Sequence, residues 1–275
     1  MATPFPSIFL SHGSPMIALE PGAAGAFMQR LGRAIDATFG RPGAIVVASA
    51  HTTAREPVLL AGAQHQAIYD FGGFDPKLYT LRYDAPGAPN LAPRVALLLQ
   101  AAGLPVHVLD QGGLDHGIWT ALRYVYPDAD IAVLPLAFVP TQPPEAQFRL
   151  GEALAALREQ GVLVLGTGSI THNLQRIFAN GLHSPADQPE IPESRSFRDW
   201  MAERSRALDW ESLFDYRRRA PHAADMHPTD EHLLPWYIAA GAGGRDSAPV
   251  RLHDGATQGS LGWDAYAFGP EAQRL

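Results

Sequence analysis

The sequence predicts an α/β fold, a mainly parallel central sheet covered by helices. Short unbroken runs of Val, Ile and Leu recur along the chain, and amphipathic segments that end in glycine separate them. The runs Ser7 to Leu10, Ala44 to Ala50, Val106 to Leu109, Ile131 to Leu136 and Val162 to Leu165 lack polar alternation, the pattern of strands buried on both faces. Between them, Phe27, Leu31, Ala34 and Ile35 make a helical stripe closed by Gly40. Val95, Leu98, Leu99 and Ala102 make a second, closed by Gly103, with Asn90 as its expected cap and Pro93 in its first turn. Leu150, Ala153, Leu154 and Leu157 make a third that stops at Gly161.

Two stretches break this rhythm. Tyr69 to Pro89 clusters Gly, Pro and aromatic residues, and a polar interruption runs from Asn180 to Pro192. Long loops on a compact sheet more often cover a site than join domains, so the first reads as the wall or lid of a pocket. Residues 1–275 are therefore expected to form one domain, and 275 residues with 46% hydrophobic content can bury a substantial core.

Charge and composition exclude several function classes. A net charge of −7 argues against a nucleic-acid surface, and the basic run Arg217-Arg218-Arg219 is short enough to be a solvated turn or helix end. The chain has no cysteine, so disulfides, thiolate ligands and a cysteine nucleophile are ruled out and site chemistry falls to histidines and carboxylates. The first residues lack a basic leader and a long apolar run, and no segment is long and apolar enough to span a bilayer, so a cytoplasmic location is expected.

Five histidines sit in apolar or glycine-marked contexts: His12, His51, His116, His172 and His232. His12, His51 and His172 follow predicted strands, and ligands of open parallel sheets gather beyond the carboxyl ends of the strands. Pro228 and Thr229 read as a helix start, which puts His232 in a first helical turn, while His116 falls in the turn before Ile118 to Tyr126. Any one such histidine is more often a hydrogen-bonded structural residue than a ligand; five together point to a metal site, and imidazole serves Zn, Cu, Ni and Fe alike. His65, His107, His183, His222 and His253 read as structural or exposed, and His227 stands between the two groups.

The blocks FLSHGSPM, VVASAHTT, YDFGGF, YDAPGAP, LDHGIW, YPDADI, LGTGSITHNL and PTDEHLLP follow one another from about Ile8 to Trp263. In content and order they resemble the DODA-type extradiol ring-opening dioxygenases of the class III extradiol superfamily. The resemblance implies that superfamily's α/β fold, one divalent metal ion, with Fe(II) for activity and Zn as a possible occupant, and cleavage of a catechol by O2. It assigns His12, His51 and His232 as metal ligands, His172 as an acid/base that can also approach the metal, and His116 as a further polar group near the substrate. Family members often carry Trp at Thr52 and His at Tyr69, so both departures are expected to alter the pocket wall. Arg82 or Arg176 could offset a negatively charged substrate.

Many non-haem oxygenases pair two histidines with a carboxylate, and Asp230 and Glu231 adjoin His232. Neighbouring helical residues point about 100° apart, which disfavours Glu231 and His232 binding one ion together. Two other function classes remain at this point: a zinc hydrolase using the same three histidines, and a binding module that keeps the crevice without turnover.

Overall fold

The structure is a computed structural model, and it describes residues 3–178 and 185–275. His183 and the start of the polar interruption at Asn180 lie outside the described residues. Eight strands form the main sheet: β1 (Ser7–Ser11), β2 (Ala44–Ser49), β3 (Val58–Leu60), β4 (His107–Leu109), β5 (Ala132–Ala137), β6 (Val162–Gly168), β7 (Val250–His253) and β8 (Ala265–Phe268). Their order across the sheet is β4-β3-β5-β2-β6-β1-β8-β7. The centre, β5-β2-β6-β1, is wholly parallel, and β4 also runs parallel to β3. The pairs β3 with β5, β1 with β8, and β8 with β7 are antiparallel.

The central strands are buried on both faces, as their unbroken apolar runs predict. Val46, Leu134 and Val164 point into one core, and Ile45, Val47, Val133 and Leu163 into the other. Strand β4 differs. It is the sheet edge, Val108 and Leu109 are exposed, and His107 pairs with Glu56, so the apolar run at Val106 to Leu109 does not mark a strand buried on both faces. Strands β3, β7 and β8 carried no recognisable signal: β3 has three residues, and Val250–His253 and Ala265–Phe268 contain few β-branched side chains.

Six longer helices cover the sheet: α1 (Gly22–Phe39), α2 (Ala92–Ala101), α3 (His116–Val125), α4 (Pro144–Leu154), α5 (Pro192–Arg206) and α6 (Leu234–Gly243). Phe27, Leu31 and Ile35 of α1 join Ile118 and Leu122 of α3 in one core, while Val95, Leu154 and Trp236 bring α2, α4 and α6 into the other. Gly40, Gly103 and Gly161 all have positive φ and close their helical segments as expected. Asn90 is not the cap of α2: Leu91 holds that position with no side-chain bond to the helix. His116 is the first residue of α3 and not part of the preceding turn, with Asp115 capping it through the Ile118 N–H. Likewise α6 starts at Leu234, so His232 lies in the turn before it and not within the helix.

Buried charge ties the C-terminal strands to α5. Fully buried Arg198 bonds the Asp264 carboxylate at 2.6 Å and Glu190 at 2.5 Å, so its desolvation is offset by paired, charge-assisted bonds. The basic run Arg217 to Arg219 ends a short helix, and its side chains pair with Asp230, Asp215 and Glu211. Among the described residues no helix is long and apolar enough to cross a membrane.

His227 is fully buried, with Nε2 against the Ile170 carbonyl at 2.9 Å and Nδ1 unbonded. Burial pulls its pKa down to about 4, against the smaller upward pull of that carbonyl. Because the folded value lies below the ordinary one near 6.5, the unfolded chain takes up this proton first as the pH falls. Stability should therefore be undiminished above about pH 6.5 and decline toward pH 4, by up to about 3 kcal/mol from this residue. Urea unfolding across that range should show a shallower decline for His227→Gln; an unchanged slope would show that His227 is not a source of the acid sensitivity.

Candidate metal centre

The parallel strands deliver histidines to one end of the sheet. His12 follows β1 and its N–H bonds the Gly168 carbonyl at 2.9 Å. His51 follows β2 in a tight turn in which the Thr52 N–H bonds Ser49 O at 3.0 Å. His172 comes after β6, its N–H held by Met226 O at 2.8 Å. The turn carrying His232 lies directly on β6, where the His232 carbonyl accepts from the Ser169 N–H at 2.9 Å. A Cβ at Gly168 would stand 2.0 Å from that carbonyl oxygen, so only glycine admits this approach. Both glycines of the Gly-Thr-Gly in LGTGSITHNL are thus required by packing beneath the site, since a Cβ at Gly166 would likewise stand 2.2 Å from the Pro235 carbonyl oxygen.

Five imidazoles meet there. His51 Nε2 stands 3.1 Å from His12 Nε2 and 3.3 Å from His232 Nε2. One N–H proton can satisfy only one of those contacts, whereas a cation shared by three lone pairs satisfies every nitrogen. The spacing agrees, since nitrogens bonded to one ion at about 2.0–2.1 Å stand roughly 3 to 3.4 Å apart. The donor set therefore fits a divalent metal. His116 is close as well, its ring centroid 4.1 Å from that of His51, and ligand atoms of His12, His51 and His116 all lie within 4.8 Å of one another. His172 stacks on His232 with centroids 3.5 Å apart and planes 7° from parallel, and these two form a second such group with Glu231.

Carboxylates and hydroxyls back the rings. Glu231 Oε1 lies 3.0 Å from His232 Nδ1 and accepts from Thr229 Oγ1 at 2.9 Å, which turns Glu231 toward the outer nitrogen of the ring. Asp70 Oδ1 accepts from both the backbone N–H and Nδ1 of His116 at 3.0 Å, and its other oxygen is 3.7 Å from His51 Nδ1. Buried Asp115 accepts from Ser49 and Thr52. His12 Nδ1 is 2.9 Å from the Thr167 hydroxyl oxygen.

Burial, and then the neighbouring imidazoles, push His12, His172 and His232 well below the ordinary histidine range; burial and His116 bring His51 to about 4. All four are neutral at pH 7, with lone pairs available to a metal or a proton. Burial alone would raise Asp70, but the hydrogen bonds from His116 outweigh it and hold the carboxyl below its usual range.

A cavity of about 270 Å³ opens above the cluster, with His51, His116, His172 and His232 on its floor and Phe71, Phe74, Leu174 and Phe178 among its walls. No Arg or Lys lines it among the described residues. Arg82 pairs with Asp84 and Arg176 with Asp225, both away from the lining. Thr52 and Tyr69 are not part of the wall either. Thr52 donates to Asp115, and Tyr69 donates to Leu81 O and packs behind Phe71, so neither departure alters the lining directly. The Tyr69 to Pro89 stretch does supply a wall through Phe71 and Phe74. His227 does not reach the cavity; neither do His65, His107, His222 and His253. The sequence reading missed the part of Asp70, although it sits in the YDFGGF block directly before a lining residue.

A family model described as the catalytic LigB subunit of aromatic ring-opening dioxygenase matches residues 6–268. The chain is 36% identical over 267 residues to the 4,5-DOPA dioxygenase extradiol of Escherichia coli K12, covering 94% of this chain and 93% of that protein. It is 34% identical over 264 residues to the 4,5-DOPA dioxygenase extradiol of Beta vulgaris, covering 95% and 96%. The crystal structure of an uncharacterized protein from Escherichia coli K12 superposes with a TM-score of 0.77 at 30% identity, covering 96% of this chain and 100% of that one. The match thus takes in the sheet, both cores and every histidine of the cluster, and the chain belongs to the LigB family of aromatic ring-opening dioxygenases and is an oxidoreductase.

Proposed function

We propose that this chain acts as one catalytic domain that opens a catechol ring with O2, using a ferrous ion held by His12, His51 and His232. The observation that carries the reading is the meeting of three Nε2 atoms, His51 standing 3.1 Å from His12 and 3.3 Å from His232, at the floor of an apolar cavity lined by His51 and His232, in a chain of this family. Ring opening, rather than hydrolysis or binding without turnover, is what that membership supports. Bound Fe(II) supplies the one-electron chemistry that lets a spin-paired catechol react with O2, which Zn with its filled d shell does not.

The protein's own groups do the rest. Phe71, Phe74 and Phe178 offer flat apolar surface that fits an aromatic ring and keeps water from it. Neutral His172, on the same floor, accepts a proton from a catechol hydroxyl and returns it as the ring opens. Asp70 holds His116 through Nδ1, which leaves Nε2 as the polar atom His116 can offer a ring oxygen. Both oxygen atoms of O2 enter the product, an aldehyde and a carboxylate at the two sides of the broken bond. The 4,5-DOPA named in two relatives heads the list of catechols to test.

The decisive experiment is anaerobic loading with Fe(II) followed by oxygen uptake over a panel of catechols. One O2 should disappear per ring opened, with a coloured product, and Zn substitution should abolish the reaction. Equal turnover by Zn and Fe(II) forms after residual iron is excluded would reject the proposal.

Metal affinity, read by competition with a chromophoric chelator, should fall by about 100-fold or more in His12→Ala, His51→Ala and His232→Ala, beyond the range for outer-shell changes, and by about tenfold or less in His116→Ala. Wild-type affinity in His232→Ala together with loss in Glu231→Gln would replace the third histidine by a carboxylate. His172→Gln should keep its metal and lose about 10² to 10⁴ in turnover, the span of a positioned acid/base. Metal loss in that variant would make His172 a ligand, and unchanged turnover would remove it from the reaction.

A further inference from the structure

Thr167 lies near the end of β6, with no exposed surface, and is paired on both sides, to Leu10 of β1 and Ser49 of β2. Its own carbonyl is held by the Ala50 N–H at 3.0 Å. The side chain is equally constrained: its hydroxyl oxygen stands 2.8 Å from the Gly117 carbonyl oxygen and 2.9 Å from His12 Nδ1. This contact needs Gly117, because a Cβ there would come within 2.8 Å of His12 Nδ1 and Cε1.

The hydroxyl has one proton and two neighbours. A carbonyl oxygen can only accept, so two oxygens 2.8 Å apart require the proton between them. The threonine oxygen then faces His12 with a lone pair, and Nδ1 must carry the imidazole proton. Nε2, the atom turned toward His51 at 3.1 Å, is left as a lone pair. Reversing the hydroxyl would set its lone pair against that of the Gly117 carbonyl and put the imidazole proton on Nε2, where it blocks a metal.

We propose that Thr167 is a positioning residue that fixes His12 in the Nδ1–H tautomer and so presents Nε2 as a metal donor. The proposal rests on the ligand role of His12 argued above. It gives the three proposed ligands different supports: a neutral hydroxyl for His12, the Glu231 carboxylate at 3.0 Å for His232, and the more distant Asp70 carboxylate at 3.7 Å for His51.

Two readouts independent of turnover test it. In Zn-loaded wild-type protein labelled with ¹⁵N-histidine, long-range proton–nitrogen spectra should show His12 Nδ1 protonated and Nε2 bonded to the metal; a bare Nδ1 would overturn the proposal. Zn affinity should fall about 10- to 100-fold in Thr167→Val, the range for a lost outer partner, and stay within about threefold of wild type in Thr167→Ser, which keeps the hydroxyl. Wild-type affinity in Thr167→Val would overturn it, as would equal losses in the Ser and Val variants, which would mark the methyl's packing as the cause. If Thr167→Val does not fold, the wild-type spectrum and the Ser variant decide. A protein that shows these effects yet consumes no O2 with Fe(II) would refute the reaction and leave the positioning role standing.

Discussion

The His232 carbonyl resting on Gly168 fixes how the turn before α6 meets the end of β6. The turn before α6 supplies one imidazole and β6 the surface beneath it, while the same strand end holds His12 through a backbone bond to Gly168 O at 2.9 Å. A side chain at Gly168 would lift His232 away from His51 and His12. The cavity floor is therefore as precise as the packing under it, and that packing depends on bare backbone along one strand.

Electrostatics follows from this crowding. Burial, and then the neighbouring imidazoles, disfavours protonation of His12, His51, His172 and His232, so these four stay neutral at pH 7. The carboxylates stand outside the ring of nitrogens. Asp70 and Glu231 meet Nδ1 atoms, and buried Asp115 is satisfied by hydroxyls and by the start of α3. Negative charge thus sits where it can orient rings and offset a divalent ion from behind the nitrogens, with Asp70 alone of the three carboxylates reaching the cavity lining.

The central strands and the three glycine-terminated helical segments were legible because burial on two faces and helix closure leave strong local marks. The histidines after β1, β2 and β6 were legible for a related reason, since strand ends in a parallel sheet open on a common crevice. Other features depend on distant partners. Strand β8 becomes a strand because β1 and β7 flank it, and α6 starts two residues after His232 because the chain must first turn over Gly168. Thr52 and Tyr69 have the residue types of a pocket wall, yet hydrogen bonds to Asp115 and Leu81 take them behind it. No local pattern announces a buried guanidinium such as Arg198, whose carboxylate partner Asp264 arrives from far along the sequence.

Strand β1 also sets a timetable. Both its neighbours come from much later in the chain: β6 pairs with it through Leu165 to Gly168, and β8 through Ala265 to Phe268. During synthesis the segment that ends in His12 has no strand partner until β6 is made and lacks its second until β8 follows. Contacts of such long sequence separation form slowly and leave intermediates prone to association. The nitrogens of His12, His51 and His232 converge only once β1, β2, β6 and the turn before α6 have come together, so metal capture follows that assembly and cannot template the strands one at a time.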